Sequence, residues 1–399
     1  MKLTARVRAL KPSATLALAA RAKQMKSDGL DVVGLSAGEP DFDTPAFIKQ
    51  VALDDIRDGV TKYTPSKGTP AVLAAICGYM EREYGLTYSP KEAMLGSGGK
   101  HVLYNAIMAL VESGDEVIIP APYWLSYPEQ VLAADGAPVV VNCPPESGFV
   151  LSPEQLEAAI TPRTKLFILN SPSNPTGVVY TRAQLLALGE VLRRHPHVFL
   201  ISDDLYQLLT YDGAEFFSLV REMPDLRDRS LIVNGLSKAW SMTGWRLGWA
   251  AGPAELIAAM DALQSQSTSN PVSFCQNAAA RALGPERPHL AEWLVRFDER
   301  RRYVIGRLAG IPDVALQHPP RGAFYVFPDI SAHFGKSHKG IAITDSSSFC
   351  EAFLQSEHVA AVPGSAFGED RCFRMSYATS MEQLAKAMDR LERFVAALA

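Results

Sequence analysis

Several β-rich stretches of this 399-residue chain end on side chains able to do covalent or acid–base chemistry. "TKLFILNSPSNPTG" (164–177) runs into Asn174, "HVFLISDDLY" (197–206) into Asp203 and Tyr206, and "SLIVNGLSK" (230–238) into Ser237 and Lys238. Arg246 follows in "NGLSKAWSMTGWRLGW" (234–249), where it and Lys238 sit among three tryptophans. Cations set in so much flat, apolar surface call for an anionic, planar guest, because buried charge persists only when paired. A lysine amine is the side chain that makes a reversible imine with an aldehyde. A carboxylate at another strand end can keep a basic ring nitrogen protonated, and an arginine beside a serine hydroxyl can hold a phosphate. In an open α/β sheet ligands collect at the carboxyl ends of the strands, so these residues converge on one site.

A further element lies upstream. "GSGGKHVLYNAIMAL" (96–110) places a turn of small residues, with Gly98, Gly99 and Lys100, at the start of a helix. Free N–H groups and the helix dipole suit a phosphate there. The run is not a Walker A loop, since position 94 is Met and no Ser or Thr follows Lys100. Together the residues ask for a phosphate, a planar ring, a basic ring nitrogen, an acidic ring hydroxyl and an aldehyde, all of which pyridoxal 5′-phosphate carries. In this reading Lys238 bonds the aldehyde, Asp203 faces the ring nitrogen, and Asn174 and Tyr206 reach the ring oxygen. Trp124 stacks on the ring, while Ser237, Arg246 and the amides of Gly99 and Lys100 hold the phosphate. Trp240, Trp245 and Trp249 are expected to be packing residues.

These residues need a frame. Helical patterns such as "SPEQLEAAI" (152–160) and "TRAQLLALGEVLRRH" (181–195), each opened by an N-cap, alternate with the β-rich stretches. The alternation predicts an α/β fold with a mostly parallel sheet covered by helices on both faces, and "WRLGWAAGP" (245–253) adds a strand. After about residue 290 a long charged helix leads to "GAFYVFPDI", "FRMSYATS" and a closing helix, which reads as a smaller α+β domain. The length suits two domains. A formal net charge of −4 without any block of like charge argues against nucleic acid as a partner, and no apolar run is long enough for a membrane span. The five cysteines form no CxxC pair, so neither a metal site nor a disulfide framework is expected, and a reducing, cytoplasmic setting is. Residues 1–27 hold seven Lys or Arg and no acid, and read as a basic arm or first helix of the folded protein, not a targeting segment.

The chain resembles a class I aminotransferase of the fold-type I pyridoxal-phosphate superfamily, in its bacterial aspartate aminotransferase branch. The motifs are "SATLALAARAK" (13–23), "LSAGEPDFDTP" (35–45), "KYTPSKGTP" (62–70), "PYWLSYPE" (122–129), "SPSNPTG" (171–177), "SDDLY" (202–206), "SKAWSMTGWRLGW" (237–249) and "FRMSYATS" (373–380), spread over nearly the whole chain. The resemblance implies an N-terminal arm over 1–15, a large cofactor-binding domain over 46–290, and a small domain assembled from 16–45 and 291–399. It also implies catalytic roles for Lys238, Asp203 and Tyr206, with Lys238 carrying the proton between the substrate Cα and the cofactor carbon. Arg374 would clamp the substrate α-carboxylate, with Gly38, Asn174 and Trp124 beside it. Tyr63 would reach the phosphate of the neighbouring subunit's cofactor, and "LQSQSTSNP" (263–271) would lie near the partner's site, making a homodimer with shared sites. One departure stands out: the family usually has Asp-Glu-x-Tyr where this chain has Asp203-Asp204-Leu205-Tyr206, and the shorter Asp204 is expected to weaken a local structural pair.

Arg374 selects an α-amino or 2-oxo acid and no more. In the branch that the chain resembles, the lysine at Lys100 reaches the distal carboxylate of aspartate or glutamate, helped by Ser13 and Thr15; the alternative is that Lys100 only supports the phosphate. The expected reaction is ping-pong transamination between aspartate or glutamate and 2-oxoglutarate or oxaloacetate, by way of pyridoxamine phosphate. Prephenate and aromatic amino-acid transfer are alternatives. A C–S β-lyase or decarboxylase of the same fold would break a different bond, and a cofactor-sensing regulator would need a DNA-binding domain ahead of residue 13.

Overall fold

A computed structural model describes residues 1–399. Its centre is a seven-stranded sheet: β1 (Ala93–Gly96), β2 (Glu116–Ala121), β3 (Ala137–Asn142), β4 (Thr164–Asn170), β5 (Phe199–Asp203), β6 (Ser230–Gly235) and β7 (Gly248–Ala251). The order across the sheet is β1-β7-β6-β5-β4-β2-β3. Strands β2 to β6 pair in parallel, and β7 runs against both of its neighbours. The apolar runs of β4 and β6, and that of β5 past the part-buried Phe199, are buried, as helices on both faces demand. Alternate residues feed opposite cores: Phe167, Leu169, Leu200 and Ile232 enter one, and Leu166, Ile168, Ile201 and Val233 the other. The helices Pro153–Ala159 and Arg182–Arg194 stand where the sequence predicts them, each opened by a capping box, Ser152 with Gln155 and Thr181 with Gln184.

A second unit surrounds a small antiparallel sheet of β8 (Tyr325–Val326), β9 (Val362–Pro363) and β10 (Phe373–Ser376), ordered β9-β10-β8. Its core draws on Val33 and Leu35 near the N-terminus, on Phe297 of the long helix Leu290–Leu308, and on Leu391 and Phe394 of the closing helix Met381–Ala396. Tyr206, Leu209 and Tyr211, just past β5, are part of the same core. The turn that follows Asp203 therefore joins the two units. The basic N-terminal segment forms the helices Ala5–Ala9 and Ala14–Ser27, the latter capped by the Ser13 hydroxyl. No helix is long and apolar enough to cross a membrane.

Candidate active site

A cavity of about 150 Å³ opens at the carboxyl ends of β4, β5 and β6, and the small sheet supplies its far wall. Lys238, Asp203, Tyr206, Asn174, Gly38, Gly99, Lys100, Trp124 and Arg374 all line it. Most of the residues singled out in the sequence thus meet around one space, although they span Gly38 to Arg374.

Lys238 lies at the floor, past the end of β6, and its Nζ donates to the Gly38 carbonyl oxygen. Burial, then the nearby Arg374 guanidinium, brings its ammonium down to about 8. A Cβ on Gly38 would stand 2.7 Å from the Tyr325 hydroxyl oxygen, so glycine there leaves room for that hydroxyl at the cavity wall. Asp203 closes β5 with two neutral partners: Oδ2 accepts from the Tyr127 hydroxyl at 2.6 Å, and Oδ1 from the Leu205 amide at 3.2 Å. Burial pushes this carboxyl up to about 6, against the hydrogen bond from Tyr127. Asn170, the last residue of β4, donates to the Asp203 carbonyl oxygen at 2.9 Å and accepts from the Asn174 amide at 2.9 Å, so it registers one strand end against the next.

Arg374 comes from β10 and is only 2% exposed. Its Nη1 donates to Asn174 Oδ1 at 2.8 Å and its Nη2 to the Ser36 carbonyl oxygen at 2.7 Å. The guanidinium lies 4.4 Å from the Tyr325 ring centroid, Nε has no partner, and no carboxylate pairs with it. A buried cation left in that state is costly unless an anion arrives. The Tyr206 and Tyr325 hydroxyls share a hydrogen bond of 2.8 Å beside it.

The residues expected at a phosphate sit at the edge. Gly98 has φ of 92°, and a Cβ on it would stand 2.6 Å from Arg246 Nη2, so the turn before the helix Gly99–Leu110 brings backbone and guanidinium together. Arg246 also donates to the Thr243 carbonyl oxygen at 2.9 Å, and with Ser97 and Lys100 it borders an open cleft next to the cavity. Ser237 is buried and does not line the cavity. Lys100 Nζ stands 5.0 Å from the Trp124 ring centroid, and burial, then Arg246, holds its ammonium below the ordinary lysine range. Tyr63 is 91% exposed and not in the cavity wall of its own chain.

Trp240 and Trp249 are buried packing residues, and Trp245 is part-buried with its Nε1 donating to Thr44 Oγ1 at 3.0 Å. The expectation for Asp204 needs correction. It has no charged partner to lose, because its oxygens accept from the Ser202 and Tyr84 hydroxyls at 2.6 and 3.0 Å. Sequence reasoning missed Asn170, Tyr127 and Tyr325. Tyr127 and Tyr325 lie in stretches already singled out, "PYWLSYPE" and "GAFYVFPDI", but nothing in their spacing separates a hydrogen-bonding tyrosine from a packing one.

The arrangement offers an amine reactive near neutrality, a buried carboxylate facing it across the cavity, and two guanidiniums for two anionic groups. The orphaned Arg374 Nε and the cleft bordered by Ser97, Lys100 and Arg246 fit a guest with a carboxylate at one end and a phosphate at the other. Residues 30–391 match the model of the family described as aminotransferase class I and II. The chain belongs to the class I and II aminotransferases. Among its relatives in this family, the aspartate/prephenate aminotransferase of Cereibacter sphaeroides (strain ATCC 17029 / ATH 2.4.9) is 53% identical over 390 residues, which cover 98% of this chain and 97% of that one. The aspartate aminotransferase of Geobacillus stearothermophilus is 47% identical over the full length of both chains. Among solved aminotransferases, the aspartate aminotransferase from Rhizobium meliloti superimposes with a TM-score of 0.96 at 46% identity, covering 100% of both chains. The aspartate aminotransferase from Thermus thermophilus with maleate gives a TM-score of 0.91 at 41% identity, covering 99% of this chain and 100% of that one.

Proposed function

We propose that this aminotransferase moves the amino group of aspartate or glutamate to a 2-oxo acid, using pyridoxal 5′-phosphate. One observation carries the reading. Besides Lys238, the cavity holds two separate cations for one small substrate, Arg374 at one wall and Lys100 at another. Arg374 binds the α-carboxylate with its free donors, and Asn174 orients it through their mutual hydrogen bond. Lys100, on the helix Gly99–Leu110, meets the distal carboxylate. The Thermus thermophilus relative solved with maleate, itself a dicarboxylate, supports this assignment.

When bound, the cofactor supplies an electron-withdrawing ring that stabilises negative charge developing at the substrate Cα. Asp203 holds the proton on the ring nitrogen, and Tyr206 and Asn174 donate to the ring oxygen. Trp124 covers the ring face. Arg246, Ser237 and the amides of Gly99 and Lys100 hold the phosphate. Lys238 would hold the aldehyde through its amine and, once the substrate's amino group has taken its place there, its freed amine would take the Cα proton and return it to the cofactor carbon, a task suited to an amine that titrates near 8. Ser13 and Thr15, which also border the cavity, close it against water from the N-terminal helix. We assign Tyr63 to the phosphate of a second copy, which makes the working unit a homodimer; its 91% exposure supports this. Five unpaired cysteines, four of them buried, support a cytoplasmic location.

Lys100→Ala is the test. Loss of a charge-assisted contact worth about 1.5–3 kcal/mol lowers kcat/KM for aspartate by roughly 10- to 150-fold. Turnover of alanine or phenylalanine changes little. An equal loss for all amino acids would assign Lys100 to the phosphate and remove the basis for an acidic substrate. Prephenate as the acceptor is a second reading, favoured by the name of the Cereibacter relative.

A further inference from the structure

Behind the strand that presents Asp203 lies a second buried carboxyl that the reaction does not touch. Side chains alternate along β5, so Asp203 faces the cavity while Ser202 and Asp204 face the other side of the sheet. Asp204 is 2% exposed. Its oxygens accept from Ser202 Oγ at 2.6 Å and Tyr84 OH at 3.0 Å. The cluster continues through Gln207, whose Oε1 lies 2.9 Å from Tyr79 OH, 3.2 Å from Tyr84 OH and 3.0 Å from Asn234 Nδ2. Asn234 belongs to β6, the strand that leads into Lys238, and its Oδ1 accepts from the Gly235 amide at 2.7 Å. Gln207 follows Tyr206 in the turn after β5. One buried polar cluster therefore ties together the strand ends that carry Asp203 and Lys238.

Asp204 is the only ionisable acid within that cluster besides the tyrosines Tyr79 and Tyr84. Glu83, Arg82 and Arg287 are the charged groups beyond the Tyr79 ring; both arginines pair with Glu83, and their guanidiniums lie 5.5 and 5.3 Å from that ring centroid. A charge on Asp204 thus has no counter-ion in contact, and a poorly polarisable interior carries its effect to the adjacent residue. Burial, then the neighbouring Asp203 carboxyl, pushes Asp204 up to about 7.

We propose that Asp204 is a positioning residue whose carboxylate strengthens the hold of Asp203 on the ring-nitrogen proton, through a cluster that also fixes the strand end bearing Lys238. The proposal rests on the cofactor reading above. Its test is the pH titration of the visible absorbance of the cofactor-loaded protein. Asp204→Asn keeps the size of the side chain and removes the charge, and lowers the midpoint by about 0.5–1 pH unit. Asp204→Glu restores the wild-type midpoint. Ser202→Ala removes a donor that favours the charged carboxylate and lowers the midpoint by a smaller step, which keeps the proposal testable where Asp204→Asn does not fold. Thermal unfolding of the cofactor-free protein gives an independent readout. Burial favours the neutral acid in the folded state, so the stabilising contribution of Asp204 is full below the ordinary carboxylate range and is lost as pH rises through about 7. Asp204→Asn removes that loss. An unchanged midpoint in both Asp204→Asn and Ser202→Ala, or a shift in Asp204→Glu as large as in Asp204→Asn, would overturn the proposal while leaving the cofactor reading intact. A wild-type protein that takes up no chromophore would overturn both.

Discussion

Lys238 is a cation held where the fold disfavours its charge. A free lysine amine titrates near 10.4 and is almost wholly protonated at neutral pH. Here burial and Arg374 bring the group down to about 8. The sign of the linkage follows: this lysine contributes full stability above its ordinary range, and that contribution is lost as pH falls through about 8. The cofactor-free protein therefore exchanges stability at neutral pH for a reactive amine. Brief treatment with a small aldehyde and a mild reductant should label Lys238 ahead of the exposed lysines, with a rate that rises through pH of about 8. Peptide mapping reads the site of labelling. Uniform labelling, or a midpoint near that of free lysine, would show that the amine is not activated by its surroundings. Arg374 carries the complementary lesson, since a guanidinium with an orphaned Nε and no carboxylate partner is a site prepared for an anion.

At the scale of elements, legibility followed the strength of the local pattern. β4, β5 and β6 are runs of Leu, Ile, Phe and Val that end in Asn, Asp or Gly, and burial on both faces makes such runs continuous and easy to find. β1, "AMLG", has no β-branched residue and only four positions, and β3, "APVVVN", is a half-exposed edge strand with Pro near its start. Neither stood out in the sequence. Both matter to the frame, because β1 leads into the Gly98 turn and β3 closes the sheet beside β2. The convergence of Arg374 on Asn174 was legible only through resemblance. A contact between residues 200 positions apart leaves no periodicity to read. The Asp204 cluster was hidden for a related reason. Its members come from three segments: Ser202, Asp204, Gln207 and Asn234 look like ordinary polar residues near strand ends, and Tyr79 and Tyr84 like packing residues of a helix.

For the whole molecule, the proposed sharing of sites between two copies sets the prediction. Tyr63 stands exposed on its own chain, and the Arg246 cleft stands open to the surface. If Tyr63 serves the neighbouring copy, Tyr63→Ala chains mixed with Lys238→Ala chains form heterodimers in which one site has both residues. Random reassortment then restores about one quarter of wild-type sites, whereas either variant alone holds none that is complete. Aspartate transamination by the mixture reads this directly. Activity no greater than the sum of the separate variants would place Tyr63 outside the site.

With pyridoxal 5′-phosphate at Lys238, the protein is proposed to take an amino group from an acidic amino acid. The most direct test is a single half-reaction: the purified, cofactor-loaded protein is mixed with one amino acid at a time in the absence of any 2-oxo acid, and the visible absorbance is followed. Aspartate and glutamate should bleach it rapidly and leave the bound cofactor recoverable in its amine form, with alanine and phenylalanine much slower. Rapid bleaching by phenylalanine or tyrosine with aspartate inert would contradict the acidic substrate, and release of ammonia or a thiol in place of a 2-oxo acid would contradict transamination itself.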